Sequence, residues 1–260
     1  MSNPVQIIHD ADTIFYRIEH QHLGDDVTEY IGAISTYIEN VRKKSEIAVQ
    51  SIFPNREFKH TYCFGDWIDT GPRYRAQFDK EAIYKDNRKN APKPKFISEM
   101  KEWVHNNRVW SIPVNTPWGE TDDFVSVLAN SYRNNGTYYV ISSCDKDLMQ
   151  IQGWHYNYLK DTVYAITEEE ANRNFFKQLL TGDVGDNIPG LKGIGPKKAG
   201  YLLDGLGTVE EMWDATLIAY TNHYKDTMSD DEIAEILYER GNKLWLKRTE
   251  DQIRVPPIPE

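Results

Sequence analysis

Three short apolar runs punctuate the chain: Val5-Gln6-Ile7-Ile8, Thr61-Tyr62-Cys63-Phe64 and Tyr138-Tyr139-Val140-Ile141. Their length and their β-branched and aromatic content predict buried strands. Each run leads to a carboxylate, namely Asp10, Asp66 and, through Ser142 and Ser143, Asp145. Helical patterns lie between them, over residues 28–50 and 122–134, the second closed by Gly136 in the C′ position. Strands alternating with helices predict an α/β fold with a mostly parallel central sheet flanked by helices. Sites in such sheets form beyond the carboxyl ends of the strands. Acids from distant parts of the sequence are therefore expected to meet at one sheet edge.

Two regions break the alternation. Residues 73–108 hold ten Lys/Arg against five Asp/Glu, a local charge of +5 in a chain of net charge −10. This segment reads as an insertion: a helix around 74–90, a turn through Ala91-Pro92-Lys93-Pro94-Lys95, and a helix around 96–107. From about residue 170 the pattern is helical, with Ser229-Asp230-Asp231-Glu232 at capping-box spacing opening a helix to about Lys247. The Pro-rich tail from Val255 is expected to be extended and frayed. Two cysteines, Cys63 and Cys144, in a chain without an export signal are expected to be reduced. No apolar run approaches the ~20 residues of a membrane span. A cytoplasmic monomer with no membrane partner is the expectation.

The stretch from Gly182 to Ala199 joins two chemical elements. Asp183 and Asp186 are carboxylates three apart at a helix end or tight turn. Ile188-x-x-Leu191-x-Gly193-Ile194-Gly195-x-x-x-Ala199 has the spacing of a helix-hairpin-helix. Gly193 and Gly195 leave bare backbone N–H groups, Pro196 suits the first helical position, and Lys197 and Lys198 add charge suited to phosphate. Further acids stand at Glu120 and Asp122, where a helix N-terminus tolerates them, and at Asp145 and Asp147 after a strand. Eight carboxylates at one place (Asp10, Asp66, Glu120, Asp122, Asp145, Asp147, Asp183, Asp186) cannot all stay ionised without cations. One like-charge pair at ~4 Å costs about 4 kcal/mol at an effective dielectric near 20. All-oxygen ligands select Mg²⁺ or Mn²⁺, and the surplus suggests two ions, an arrangement suited to displacement at a phosphodiester. Asp12 and Asp123 adjoin this set as supporting residues.

The motifs His9-Asp10-Ala11-Asp12, Gly65-Asp66, Tyr84-Lys85-Asp86-Asn87-Arg88, Glu120-Thr121-Asp122-Asp123, Ser143-Cys144-Asp145-Lys146-Asp147 and Gly182-Asp183-Val184-Gly185-Asp186-Asn187-Ile188-Pro189-Gly190 occur in this order. In this the chain resembles the 5′ nucleases of the flap endonuclease class, above all the stand-alone bacteriophage 5′→3′ exonucleases and their RNase H-like members. The resemblance covers about residues 5–205. It implies a nuclease core over 1–170 of the PIN-like or resolvase-like kind, with a helical arch at about 70–108. A helical region over 171–260 would carry the DNA-binding hairpin at about 183–204.

The resemblance further implies that Asp10, Asp66, Glu120 and Asp122 hold one Mg²⁺ or Mn²⁺, and that Asp145, Asp147, Asp183 and Asp186 hold or support a second. Lys85 and Arg88 would reach the scissile phosphate, and Tyr84 would stack on a terminal base. The hairpin would grip duplex DNA, with K⁺ as an additional ion. The implied activity is hydrolysis near the 5′ end of DNA or of an RNA primer in duplex or flapped substrates, in phage replication within the host cytoplasm. A single-strand-binding protein is the implied partner. Ala11 and Thr121 depart from the family's usual Gly and Ala without removing a ligand. Two other classes fit less of the chain. An aspartyl-nucleophile phosphatase would use Asp10 but leaves the hairpin and the basic segment unexplained. A catalytically weak nucleic-acid-binding module would not need the acids. A P-loop is excluded because Pro196, not Lys, follows Gly190-x-x-x-x-Gly195.

Overall fold

A parallel sheet forms where the apolar runs lie, and it is larger than they indicate. The computed structural model describes residues 3–19, 21, 23–65, 74–107 and 120–249. Contacts divide the chain into two units, Met1–Gly71 with Pro92–Ile166, and Pro72–Ala91 with Thr167–Glu260.

In the first unit, β1 (Val5–Asp10), β2 (Phe58–Cys63), β3 (Tyr139–Ser142), β4 (Gly153–Asn157) and β5 (Thr162–Ile166) stand in the order β2-β1-β3-β4-β5. All neighbours are parallel except the β4–β5 hairpin. The interior position of β1, between β2 and β3, matches its composition, since Val5, Ile7 and Ile8 are fully buried. The helices α1 (Asp12–Glu19), α2 (Val27–Gln50), α3 (Ile97–Asn106) and α4 (Thr121–Asn134) complete the unit.

Helix α2 starts where Asp26 accepts the Thr28 N–H. It buries Tyr30, Ile34, Ile38, Val41, Ser45 and Val49, a single stripe spaced three or four apart. Helix α4 ends in a Schellman turn: Gly136 is left-handed, with Thr137 N bonded to Tyr132 O and Gly136 N to Arg133 O.

The second unit contains α5 (Glu168–Thr181), α6 (Pro196–Leu202), α7 (Val209–Tyr224) and α8 (Asp230–Leu244). The α5, α7 and α8 starts carry capping boxes at Thr167/Glu170, Thr208/Glu211 and Ser229/Glu232. Phe175, Phe176, Leu179, Leu180, Tyr220, Leu237 and Trp245 form its apolar core.

The basic segment corrects one expectation. No helix spans 74–90; two 3₁₀ turns, Tyr74–Phe78 and Asp86–Arg88, stand there instead. The backbone N–H groups of Lys80 and Glu81 bond to the Glu239 carboxylate and that of Tyr84 to Asp79, so the helical ladder has lost its donors. Lys85 is left-handed at φ 58°. Only the second expected helix forms, as α3. Helix α1 and the β4–β5 hairpin are additions to the sequence-based expectation.

Three histidines are buried in the sheet. His9 Nε2 lies 2.9 Å from His60 Nδ1, and His60 Nε2 lies 2.9 Å from Glu46 Oε1. Burial holds both below the usual histidine range, and it pushes His155 down to about 4. A histidine neutral in the fold but free to protonate when unfolded contributes stability above its unfolded value, near 6.5. That contribution is lost as pH falls toward the folded value. Unfolding free energy from urea titrations is therefore expected to fall between pH 6.5 and about 4, and to fall less steeply in His155→Gln.

Candidate active site

Asp10 ends β1, an interior strand, and is 2% exposed. Its Oδ2 accepts a hydrogen bond from Ser143 Oγ at 2.8 Å, one residue beyond β3. Ser143 Oγ in turn accepts the Asp145 N–H at 2.9 Å, and Asp145 Oδ1 accepts the Asp147 N–H at 2.8 Å. The turn after β3 is thus built from side chain to backbone, and it carries Asp145 and Asp147 half-buried. Burial, and then the charges of Asp12 and Asp145, push the Asp10 carboxyl up to about 7 against the opposing Ser143 hydrogen bond. A carboxyl so placed gains most from a cation.

Asp12 sits at the first position of α1. It accepts the Gly65 N–H at 2.9 Å and the Thr121 hydroxyl, and pairs with Lys101 Nζ at 2.9 Å. Lys101 also donates to Gly65 O at 3.1 Å. Asp12 thereby ties the chain after β2 to the start of α4. Glu120 is the residue before α4, and its N–H is held by Asp123 Oδ2 at 3.2 Å. Asp122 lies half-buried in the first turn. Asp66 lies outside the described residues. Among the described residues no three His, Cys, Asp or Glu side chains are grouped closely enough to hold a metal ion. The donor chemistry of Asp10, Glu120, Asp122, Asp145 and Asp147 nonetheless suits a hard divalent cation. The burial of Asp10, 2% exposed and near the charges of Asp12 and Asp145, favours such a fit.

Lys101 is a site residue that the sequence reading passed over. Its signal is a lysine on the buried stripe of α3, between Met100 and Val104.

The second unit carries the other acids and the cations. Helix α5 ends at Gly182, φ 69°, where a Cβ would fall 2.4 Å from backbone atoms of Ile188 and Gly190. The chain then folds into a tight turn, with Asp183 N to Ile188 O at 2.9 Å and Ile188 N to Asp183 O at 2.8 Å. Asp183 Oδ1 accepts the Gly185 N–H at 2.8 Å. Asp186 pairs with Arg88 at 2.8 Å and Lys85 at 3.6 Å.

Tyr84 donates its hydroxyl to Asp186 Oδ2 at 3.0 Å and is 7% exposed within the helical core. Its ring therefore has no open face for a base, which corrects the stacking role. Tyr74 and Phe78 pack edge to face, and Lys247 lies over Tyr74.

Pro196 is the first residue of α6 after Gly195. Gly193, at φ 83°, and Gly195 have no neighbour within reach of an added Cβ, and Lys197 and Lys198 are exposed. The turn is as bare as its glycines imply.

No family model matches the chain. It is 32% identical over 154 residues to a 5′-3′ exonuclease of Aquifex aeolicus, covering 53% of this chain and 52% of the relative. It is also 32% identical over 138 residues to the flap endonuclease Xni of Shewanella piezotolerans, covering 48% and 53%. The chain thus spans about half the length of these curated relatives. Its fold matches a crystal structure of the bacteriophage T5 flap endonuclease with DNA and metal ions at a TM-score of 0.60 and 14% identity, over 92% of this chain and 89% of the other.

The raised Asp10 carboxyl has a measurable consequence. Its folded value of about 7 lies above the ordinary carboxyl value of 3.8. Any stability linked to this group is therefore present below the ordinary value and lost as pH rises through about 7. In chelator-treated protein, Asp10→Asn is expected to raise the thermal midpoint by several degrees at pH 8 and to leave it nearly unchanged at pH 4, read by differential scanning calorimetry.

Proposed function

Because the chain is a relative of the 5′ nucleases in sequence and has their fold, we propose that it is a divalent-metal-dependent 5′→3′ exonuclease and flap endonuclease. The observation that carries this reading is the Asp10 carboxyl, 2% exposed at the end of β1, hydrogen-bonded to Ser143 and near the charges of Asp12 and Asp145. Acids crowded at the end of an interior strand raise the free energy of one another's ionised forms, and a divalent cation removes that conflict. In the proposal, Asp10, Asp66, Glu120 and Asp122 hold one Mg²⁺ or Mn²⁺, and Asp145 and Asp147 hold a second. The assignment of Asp183 and Asp186 to the second ion rests on the resemblance of the stretch from Gly182 to Gly190 to the family pattern.

A bound cation of this kind supplies a Lewis acid that polarises a phosphodiester and activates water. The chain's own residues do the rest. Ser143 orients Asp10 through its hydrogen bond, and Asp12 with Lys101 sets the approach of the Gly65 backbone to the start of α4. Lys85 and Arg88 place two positive charges for phosphate oxygens, where charge develops during cleavage. The open backbone at Gly193 and Gly195, with Lys197 and Lys198, supports contact with phosphates rather than bases. Substrates in this reading are duplexes with a 5′ end, flap or RNA primer, in DNA replication.

Asp145→Ala is expected to lower cleavage of a 5′-flapped duplex in Mg²⁺ by on the order of a hundredfold or more, with duplex binding retained. Cleavage at the wild-type rate would overturn the site assignment. Binding of the flapped duplex is expected to weaken steeply between low and moderate salt, as counterions released by the basic residues predict. A filter-binding titration in which Lys197→Ala/Lys198→Ala has a shallower salt slope than wild type checks that contribution.

A further inference from the structure

A polar network of the second unit lies apart from Asp183 and Asp186, at the C-terminal turns of α8. Arg240 is 1% exposed. Its guanidinium forms a two-pronged pair with Glu81 (2.8 Å from Nε, 2.6 Å from Nη2) and also donates to the hydroxyls of Tyr220 and Tyr224. Glu239, also buried, accepts the backbone N–H groups of Lys80 and Glu81 at 3.2 and 2.9 Å. Lys243 bridges Glu239 at 2.6 Å and Asp79 at 2.9 Å, and donates to Ala82 O. Arg75 closes the arrangement from the other side, donating to the carbonyls of Lys243 at 2.8 Å and Trp245 at 3.0 Å, where the helix leaves its last carbonyls without internal donors.

Apart from Tyr220 and Tyr224 of α7, every side chain or backbone group just named as reaching these turns from elsewhere in the chain lies between residues 75 and 82. The same stretch continues into Lys85 and Arg88. Its next links are Asp79 to the Tyr84 N–H at 3.0 Å, Asn187 Nδ2 to Ile83 O at 2.9 Å, the Lys85 N–H to Asp186 O at 2.9 Å, and Asn87 Nδ2 to Val184 O at 2.7 Å. A buried charge without a partner is strongly destabilising. Arg240 would become such a charge if residues 75–82 detached, while Glu239 and Lys243, still paired to each other, would lose the backbone N–H groups of Lys80 and Glu81, the Asp79 carboxylate and the Ala82 carbonyl. Residues 75–82 are thereby tied to α8, and residues 83–88 to the turn from Val184 to Asn187.

We propose that Glu239, Arg240 and Lys243 are positioning residues that hold Lys85 and Arg88 against Asp186, so that α8 sets the geometry of the phosphate-directed cations. This inference rests on the nuclease reading for its effect on catalysis, and on the network alone for the order of residues 75–88, the strap.

The test uses the full chain, with Lys243→Met and with the double variant Glu81→Gln/Arg240→Met, which removes both members of the pair between buried Arg240 and Glu81. Hydrogen exchange read by mass spectrometry is expected to show residues 79–88 protected in the free wild type. In the variants they should exchange about tenfold faster or more, while α5 keeps its protection. Cleavage of a 5′-flapped duplex in Mg²⁺ is expected to lose kcat on the order of a hundredfold, as displaced catalytic groups do, with KM within about threefold of wild type. If Lys243→Met does not fold, the double variant decides. Fast exchange of 79–88 in the wild type, unchanged exchange in the folded variants, or faster exchange with undiminished kcat would each overturn the proposal. A wild type that cleaves no substrate yet shows the expected exchange would overturn the nuclease reading and leave the strap established.

Discussion

A carboxylate buried at the end of an interior parallel strand is the constraint around which the first unit is built. Asp10 cannot move to solvent, because β1 is flanked on both sides by β2 and β3 and its apolar residues are fully buried. Its ionisation is opposed by burial and by the neighbouring charges of Asp12 and Asp145. The surroundings respond with directed donors. Ser143 donates to Asp10, and Lys101 with the Gly65 N–H neutralises Asp12. The turn after β3 is held by Asp145 and Ser143 accepting backbone N–H groups. Each of these contacts makes a locally unfavourable charge tolerable without discharging it.

The second unit handles charge in the opposite way. Its buried ions find opposite charges: Arg240 pairs with Glu81, and Lys243 with Glu239 and Asp79, while the more exposed Arg88 pairs with Asp186. Such pairs add little net stability over apolar replacements, but breaking one is costly. They specify one arrangement of the chain. The segment from Tyr74 to Arg88 has few apolar anchors, yet it takes a defined path because its backbone N–H groups are claimed by Glu239 and Asp79. The glycine-rich turn between α5 and α6 shows the same economy, since Gly182 and Gly190 allow two backbones to approach where any Cβ would clash.

Periodicity and caps along the chain determine most of the elements. The stripe of α2, the Schellman glycine after α4, the Ser229 capping box and Pro196 at the start of α6 are local signals, and the structure repeats each of them. The three apolar runs likewise become β1, β2 and β3, in one parallel sheet, because a strand's burial is written in its own side chains. The helix expected at 74–90 shows where local propensity yields. Its charged residues are compatible with a helix, but the long-range carboxylates that take its backbone donors lie some 160 positions away.

Residue identity alone therefore determined the order of the elements, the acids at the strand ends and the bare glycine turn. Tertiary structure decided that Tyr84 is core rather than a stacking platform, that Lys101 reaches Asp12 from a buried helix face, and that α8 carries the partners of residues 75–82. The physical reason is range. Caps, turns and hydrophobic stripes are satisfied within a few residues, whereas a buried charge is satisfied only by whatever partner the folded chain brings to it.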